Sequence, residues 1–411
     1  MSEYDVIIVG GGPAGASAAV GLASAGARVL VAERERFPRE KLCGEFISPE
    51  CLGHFARLGV LERMEGGGGA RVSETVFYAP SGRSVSAPSA WFGGEALGLS
   101  RAEMDARLLA RAREAGADVL EEAALAGVVT EGARVRGVRL RTAAGATREF
   151  RARVTLDATG RGRSVARRAA RELAAAAKAD EGGGEGNETA RARLVAFKAH
   201  LEGAGGAPGV CEIYFYPGGY GGLSPVEGGL SNLCFIARAS DARRCGSDPE
   251  RLMREALARN RRAALTLAGA RARTRWLGVA VESFGRHEPA PFDGLLAVGD
   301  AAAFIDPFTG SGMLMALEGG ALAADAVSRW LARGGDGGDF APLAGEYRAA
   351  YAARFDARLR LCGLLRRAAL APPAFAEAAV VALGASAALR RRLARATRGG
   401  SAPAAAGPAA E

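Results

Sequence analysis

A β-branched run, Asp5–Gly10, passes directly into Gly10-Gly11-Gly12-Pro13-Ala14-Gly15, then into a small-residue stretch, Ala14–Ala25, and a second apolar run, Arg28–Glu33. Gly10, Gly12 and Gly15 stand at G-x-G-x-x-G spacing between an expected strand and an expected helix. That reads as a βαβ unit, with a parallel sheet covered on both faces. The glycines permit a tight turn and close approach of a ligand to the backbone, while the helix N-terminus, opened by Pro13 and Ala14, favours a pyrophosphate. Glu33, with Arg34 beside it, closes the second strand eighteen residues after Gly15. Its carboxylate suits ribose hydroxyls and would repel a 2′-phosphate. This much defines a dinucleotide site without separating nicotinamide from flavin.

The separation comes late in the chain, at Gly299-Asp300-Ala301-Ala302 followed by Pro307 and Thr309-Gly310-Ser311-Gly312-Met313. An aspartate at a strand end can bind a ribityl chain. A helix beginning at Gly312 and Met313 can stabilise negative charge on the N1–C2=O edge of a reduced flavin. The expected cofactor is FAD.

At 411 residues the chain exceeds the roughly 250–300 that one core usually supports, so two lobes are expected. The fold class is α/β: a Rossmann-like FAD-binding lobe, an inserted antiparallel-sheet substrate lobe and a C-terminal helical segment. The cofactor lobe takes residues 1–75, 100–170 and 276–335, and the substrate lobe takes 76–99 and 190–275. Residues 171–189, rich in alanine and then glycine, read as a flexible loop, 336–398 as helices and 399–411 as a disordered tail.

Composition narrows the function classes. With 49% hydrophobic residues the chain can bury a large core, which excludes disorder throughout and collagen. The net charge of +9 is carried by scattered arginines with only 6% aromatic residues, a poor match to a nucleic-acid binder. Six cysteines without a C-x-x-C pair read as free thiols in a reducing compartment. His54, His200 and His287 lie at no metal-ligand spacing, so no metal is expected. No leader or membrane span is expected, which places the protein in the cytoplasm. The helix around Tyr347–Leu370 and the apolar run after Pro373, with Arg366, Arg367 and Arg390 to Arg392, suit contact with an anionic membrane surface. The sequence leaves the oligomeric state open.

These motifs resemble those of the geranylgeranyl-reductase group within the p-hydroxybenzoate-hydroxylase-like flavoprotein superfamily. The resemblance covers about residues 4–330. Pro38-Arg39-Glu40-Lys41-Leu42-Cys43-Gly44-Glu45 is similar to the group's P-R-x-K-x-C-G segment, and Arg101, Asp105, Leu108 and Leu109 to its R-x-x-x-D-x-x-L-L helix. Asp157-Ala158-Thr159-Gly160 with Ser164 and Arg167 resembles D-G-x-x-S-x-x-R, and Gly299–Met313 resembles G-D-A-A…P-x-T-G-x-G-[IM]. The resemblance implies that Ala14 and Glu33 meet the ADP half and that Leu125 lies near the adenine. It also implies that Arg101 and Asp300 hold phosphates and ribityl chain, and that Cys43 and Gly44 border the isoalloxazine.

Two departures bear on the substrate. Prenyl reductases carry P-G-G-Y-G-W-x-F-P where this chain reads Pro217-Gly218-Gly219-Tyr220-Gly221-Gly222-Leu223-Ser224-Pro225, so Trp and Phe give way to small residues. The halogenase signature W-x-W-x-I-P is absent, as is a second dinucleotide fingerprint, so NAD(P)H or another reductant is expected to donate electrons transiently. Cys43, Glu45 and Tyr220, the last expected in a glycine-rich turn where its phenol could reach a substrate, are the candidate catalytic groups. Lys198 and His200 share a strand face, read as solvated. The leading expectation is hydride transfer from reduced FAD to a C=C bond of an apolar polyprenyl, polyketide or aromatic molecule. The alternative is a monooxygenase using NAD(P)H and O2, ahead of a halogenase or a lipid carrier.

Overall fold

The computed structural model describes residues 4–179, 194–281, 284–335, 339–370 and 372–397. Strand Tyr4–Val9 pairs in parallel with Val29–Ala32 and with the second half of the long strand Thr147–Asp157. Asp118–Leu120 and Leu295–Ala297 add parallel edges. The central Val, Ile and Leu runs are buried on both faces, which is why they do not alternate with polar residues. The first half of Thr147–Asp157 turns antiparallel to Arg134–Arg141, which pairs in turn with Ala124–Glu131. Helix Pro13–Ser24 lies against helix Gly312–Ala332 so closely that a Cβ on Gly320 would come within 2.3 Å of the Ala14 carbonyl oxygen.

Among the described residues the second sheet has eight strands, built around Leu194–Glu202, Ser231–Arg238, Gly219–Pro225 and Val210–Tyr216. One face carries Phe197, Tyr214, Leu233 and Phe235 into its own core under short helices. The other, carrying Ala196, Phe215, Tyr220 and Ile236, turns toward the cofactor lobe. Helices Ala341–Ala369, Pro373–Gly384 and Ala387–Ala396 follow, and the last two meet at 113°. Among the described residues no single helix is long and apolar enough to cross a membrane.

Several expectations are corrected. Residues 171–179 are not a loop: helix Ser164–Ala179 runs through them, because alanine has the highest helix propensity once a start is set. Residues 180–189 and 399–411 lie outside the described residues. The inserted sheet extends past the expected boundaries, since Leu277–Val281 pairs with Leu194–Glu202 and the strand Glu74–Tyr78 belongs to it as well. Tyr220 sits in strand Gly219–Pro225, not in a turn. Its glycines answer close approach: a Cβ on Gly219 would lie 2.0 Å from the Ile236 oxygen, and one on Gly221 would lie 2.8 Å from Phe235 Cβ.

A buried ionic cluster ties the helices behind the cofactor lobe. Glu318 pairs with Arg354 and, at 2.9 Å, with fully buried Arg358, while His54 Nε2 lies 3.9 Å away. Burial, and then the guanidinium of Arg57 donating to His54 Nδ1 at 2.8 Å, push the imidazole down to about 4. The unfolded chain protonates this ring near 6.5 and the folded chain only near 4. Stability therefore falls as pH drops through that window and is unaffected by this group above it. Relative to His54→Gln, the wild-type unfolding free energy is expected to lose on the order of 3 kcal/mol between those limits in urea titrations at stepped pH.

Candidate functional site

One cavity of about 1190 Å³ runs between the lobes. That exceeds the roughly 300–1,000 Å³ of a pocket for one small ligand, and its two ends differ in chemistry. At the cofactor end it is lined by Gly10, Gly12, Pro13, Ala14, Glu33 and Arg34. Gly10 takes φ +111°, and a Cβ there would lie 2.3 Å from the Ala158 oxygen. A Cβ on Gly15 would fall 1.9 Å from the Gly10 oxygen, so Gly15 secures strand–helix contact and does not line the cavity. Glu33 accepts from the Gly11 and Glu35 amides at 2.8 and 3.0 Å. Each carboxylate oxygen keeps a lone pair for a further donor such as a ribose hydroxyl.

Two guanidinium groups face the start of this helix. Arg101 donates from Nε and Nη2 to Asp105 at 2.8 and 2.7 Å, and Arg39 from Nη1 at 2.9 Å. Asp105 is fully buried, and both arginines reach 3.8 Å from the point a Gly12 Cβ would occupy. Burial works against the Arg101 charge, but Asp105 overrides it and raises the pKa. The helix N-terminus plus two fixed guanidiniums form a cradle fitted to a pyrophosphate. Arg39 and Asp105 belong to motifs quoted above, yet neither was singled out as a site residue; the i, i+4 spacing of Arg101 and Asp105 was the available signal.

Asp300 lies on the turn after Leu295–Ala297 and faces the cavity, its pKa raised by burial against the opposing pull of Arg101, Lys41 and Arg161. Gly299 holds that turn at φ +57°, 2.8 Å from Ala14 Cβ when given a Cβ, and is not itself part of the lining. Pro307, Gly310, Gly312 and Met313 line the cavity further on, as do Cys43, Gly44 and Leu125. Asp157 does not line it: its carboxylate accepts from Thr159 N at 3.0 Å and Ala166 N at 2.9 Å, fixing the turn after the strand. The donors, glycines and carboxylates present fit FAD laid from Glu33 to Met313.

The groups expected to be catalytic divide. Glu45 is fully buried, and its Oε1 accepts from Arg101 N at 2.8 Å and Lys198 Nζ at 2.7 Å, while His200 Nε2 lies 2.6 Å from Oε2. Lys198 also pairs with Glu40. The strand face of Lys198 and His200 is thus buried against the cofactor lobe, not solvated, because a carboxylate from the Cys43–Glu45 segment meets it there. Burial lowers the Lys198 pKa, and Glu45 and Glu40 more than reverse that. Glu40, Glu45 and His200 bring ligand atoms within 4.8 Å of one another, but the Lys198 ammonium occupies the place a cation would take.

Tyr220 donates to Asp306, which also accepts from Phe308 N at 3.0 Å. Burial and Asp306 push the phenol well above its ordinary range, so it keeps its proton. Glu45 and Tyr220 therefore act as struts from the substrate sheet to the two loops that border the flavin position. Asp306 escaped sequence reasoning and the buried pairing of Lys198 was read as solvation, because their partners lie 86 and 153 residues away. Replacing Lys198 with Met leaves Glu45 short of an ammonium in a fully buried place. A loss of about 3–5 kcal/mol is expected in urea unfolding.

The far end of the cavity is apolar: Phe77, Ile213, Phe215, Ile236, Val281 and Phe304, roofed by Val380 and Leu383 of the penultimate helix. Gly222 and Ser224, which replace the Trp and Phe of prenyl reductases, are part of this lining.

The cradle and the apolar end together define an FAD-dependent oxidoreductase. The chain belongs to the FAD binding domain family, whose model matches residues 3–329. It is 29% identical over 334 residues to digeranylgeranylglycerophospholipid reductase 2 of Methanopyrus kandleri, covering 79% of this chain and 77% of that protein. Reductase 1 of the same organism is 30% identical over 332 residues, covering 79% and 80%. The crystal structure of a geranylgeranyl bacteriochlorophyll reductase-like protein from Thermoplasma acidophilum superposes with a TM-score of 0.76 at 23% identity over 96% of each chain, sharing the fold.

Proposed function

We propose that this enzyme reduces carbon–carbon double bonds of a polyprenyl lipid. The carrying observation is the single cavity that joins the FAD cradle to a long apolar pocket. The reductase names of the relatives support the same reading. Reduced FAD supplies the hydride equivalent. The chain's part is to hold the cofactor through Arg39, Arg101 and Asp300, to exclude water with the Phe215 and Ile236 face, and to place a proton. Cys43 carries that proton on Sγ: its S–H bond breaks, the second alkene carbon takes the proton, and solvent restores the thiol. The small side chains at Gly222 and Ser224 widen the pocket beside Ile213, which favours a bulkier head or bent chain. NAD(P)H or another reductant recharges the flavin from outside, and the free cysteines suit a reducing cytoplasm.

The test is anaerobic. Holoenzyme is reduced, then mixed with a geranylgeranyl lipid while flavin absorbance is followed. Return of the oxidised spectrum without oxygen, with a product two hydrogens heavier per bond, is expected. Reoxidation that waits for oxygen and gives an oxygen-containing product would overturn the reading in favour of a monooxygenase.

A further inference from the structure

Among the described residues five large apolar side chains stand at least half exposed: Leu265, Leu364, Phe375, Val381 and Leu389. Four of them fall on the last three helices. The outward face of Pro373–Gly384 carries Ala374, Ala378, Val381 and Ala382, all exposed and all uncharged. Its inward face, Ala376, Ala379, Val380 and Leu383, roofs the cavity. Phe375 does both: it lines the cavity and is 54% exposed, which puts it at a mouth.

Charge on this segment is one-sided. Residues 359–397 hold seven arginines and one carboxylate, Glu377, and that carboxylate accepts from Ser81 N and Oγ at 2.7 Å. Arg390 is spent capping the helix by donating to the Leu383 and Gly384 carbonyls. Arg391, Arg392 and Arg395 are exposed on the last helix beside Leu389. An apolar ridge flanked by unneutralised guanidiniums is the pattern of a helix that lies in a bilayer interface, with apolar side chains among the acyl groups and cations at anionic headgroups.

We propose that the bent helix pair Pro373–Gly384 and Ala387–Ala396 docks this enzyme on an anionic phospholipid surface, so that the mouth at Phe375 opens into the bilayer. A membrane-borne chain then enters the apolar end without crossing water. This rests in part on the reading of the substrate as a lipid, but the docking is tested without turnover.

Purified FAD-loaded protein is sedimented with vesicles of phosphatidylcholine alone and of phosphatidylcholine with phosphatidylglycerol. Binding to the anionic vesicles is expected, weakened by about 0.5 M salt because screening shortens the reach of the arginines. Arg391→Glu/Arg392→Glu and Val381→Glu/Leu389→Glu are each expected to weaken that binding by roughly tenfold or more while the ratio of flavin to protein absorbance stays unchanged. Anionic vesicles that leave the wild type in solution would overturn docking and leave the reductase reading standing. So would variants that bind as well as wild type, or a self-association in size-exclusion runs that Val381→Glu/Leu389→Glu abolishes. Vesicle binding by an enzyme that fails to reduce the lipid would overturn the reductase reading instead.

Discussion

Gly12→Val is expected to give a folded, colourless protein. Gly12 has extended backbone, φ −70° and ψ −176°, which any residue adopts, so the substitution carries no conformational cost. A Cβ there meets no protein atom closer than 3.8 Å, and the two that it meets are the Arg39 and Arg101 guanidinium nitrogens. The added methyls thus fill the space between those cations and the helix N-terminus, where the pyrophosphate must lie. Losing two charge-assisted contacts at about 1.5–3 kcal/mol each weakens FAD binding on the order of a hundredfold to ten-thousandfold. The check is the 450 nm absorbance after incubation with excess FAD and desalting, alongside an unfolding curve. Gly15→Ala separates the two glycine roles. Its Cβ would meet the Gly10 oxygen at 1.9 Å, so it is expected to lose fold and flavin together. A Gly12→Val protein that stayed yellow would overturn the pyrophosphate assignment.

What could be read from the sequence follows from how local each cause is. The strand–glycine–helix unit at Tyr4–Ala32 is specified within about thirty residues by sterics and a helix dipole, and the Asp300 turn and Gly312 helix start are equally local. The struts are not. Glu45 and Lys198 acquire meaning only when the inserted sheet folds back on the Cys43–Glu45 segment, and no periodicity in either stretch announces a partner 153 residues away. Strand Gly219–Pro225 was hidden for a different reason. Its glycines mark close backbone approach to Phe235 and Ile236, yet by composition they look like a turn. The helix through 171–179 was hidden by its own alanine content, which signals low complexity as readily as helix.

With Glu45 saturated by donors and Tyr220 bound to Asp306, Cys43 is the expected catalytic group that still faces the cavity with a transferable proton. Its position is fixed from two sides. Asn232 Nδ2 donates to its carbonyl at 3.0 Å, and the Glu45 amide points at Sγ from 3.5 Å. A thiol held this firmly beside the cofactor cradle suits proton delivery better than core packing, since it is only half-buried. Cys43→Ala removes the proton and little volume. It should retain FAD and accept electrons from an external reductant at the wild-type rate, while reoxidation by the alkene slows by about 10²–10⁴-fold. The solvent deuterium isotope effect on that step separates a chemical role from a structural one. A donor thiol gives wild type a clear effect that the variant replaces with slow transfer from water, and Cys43→Ser should recover part of the rate. Reoxidation at the wild-type rate in Cys43→Ala would reduce the residue to a spacer packed beside the substrate sheet at Asn232.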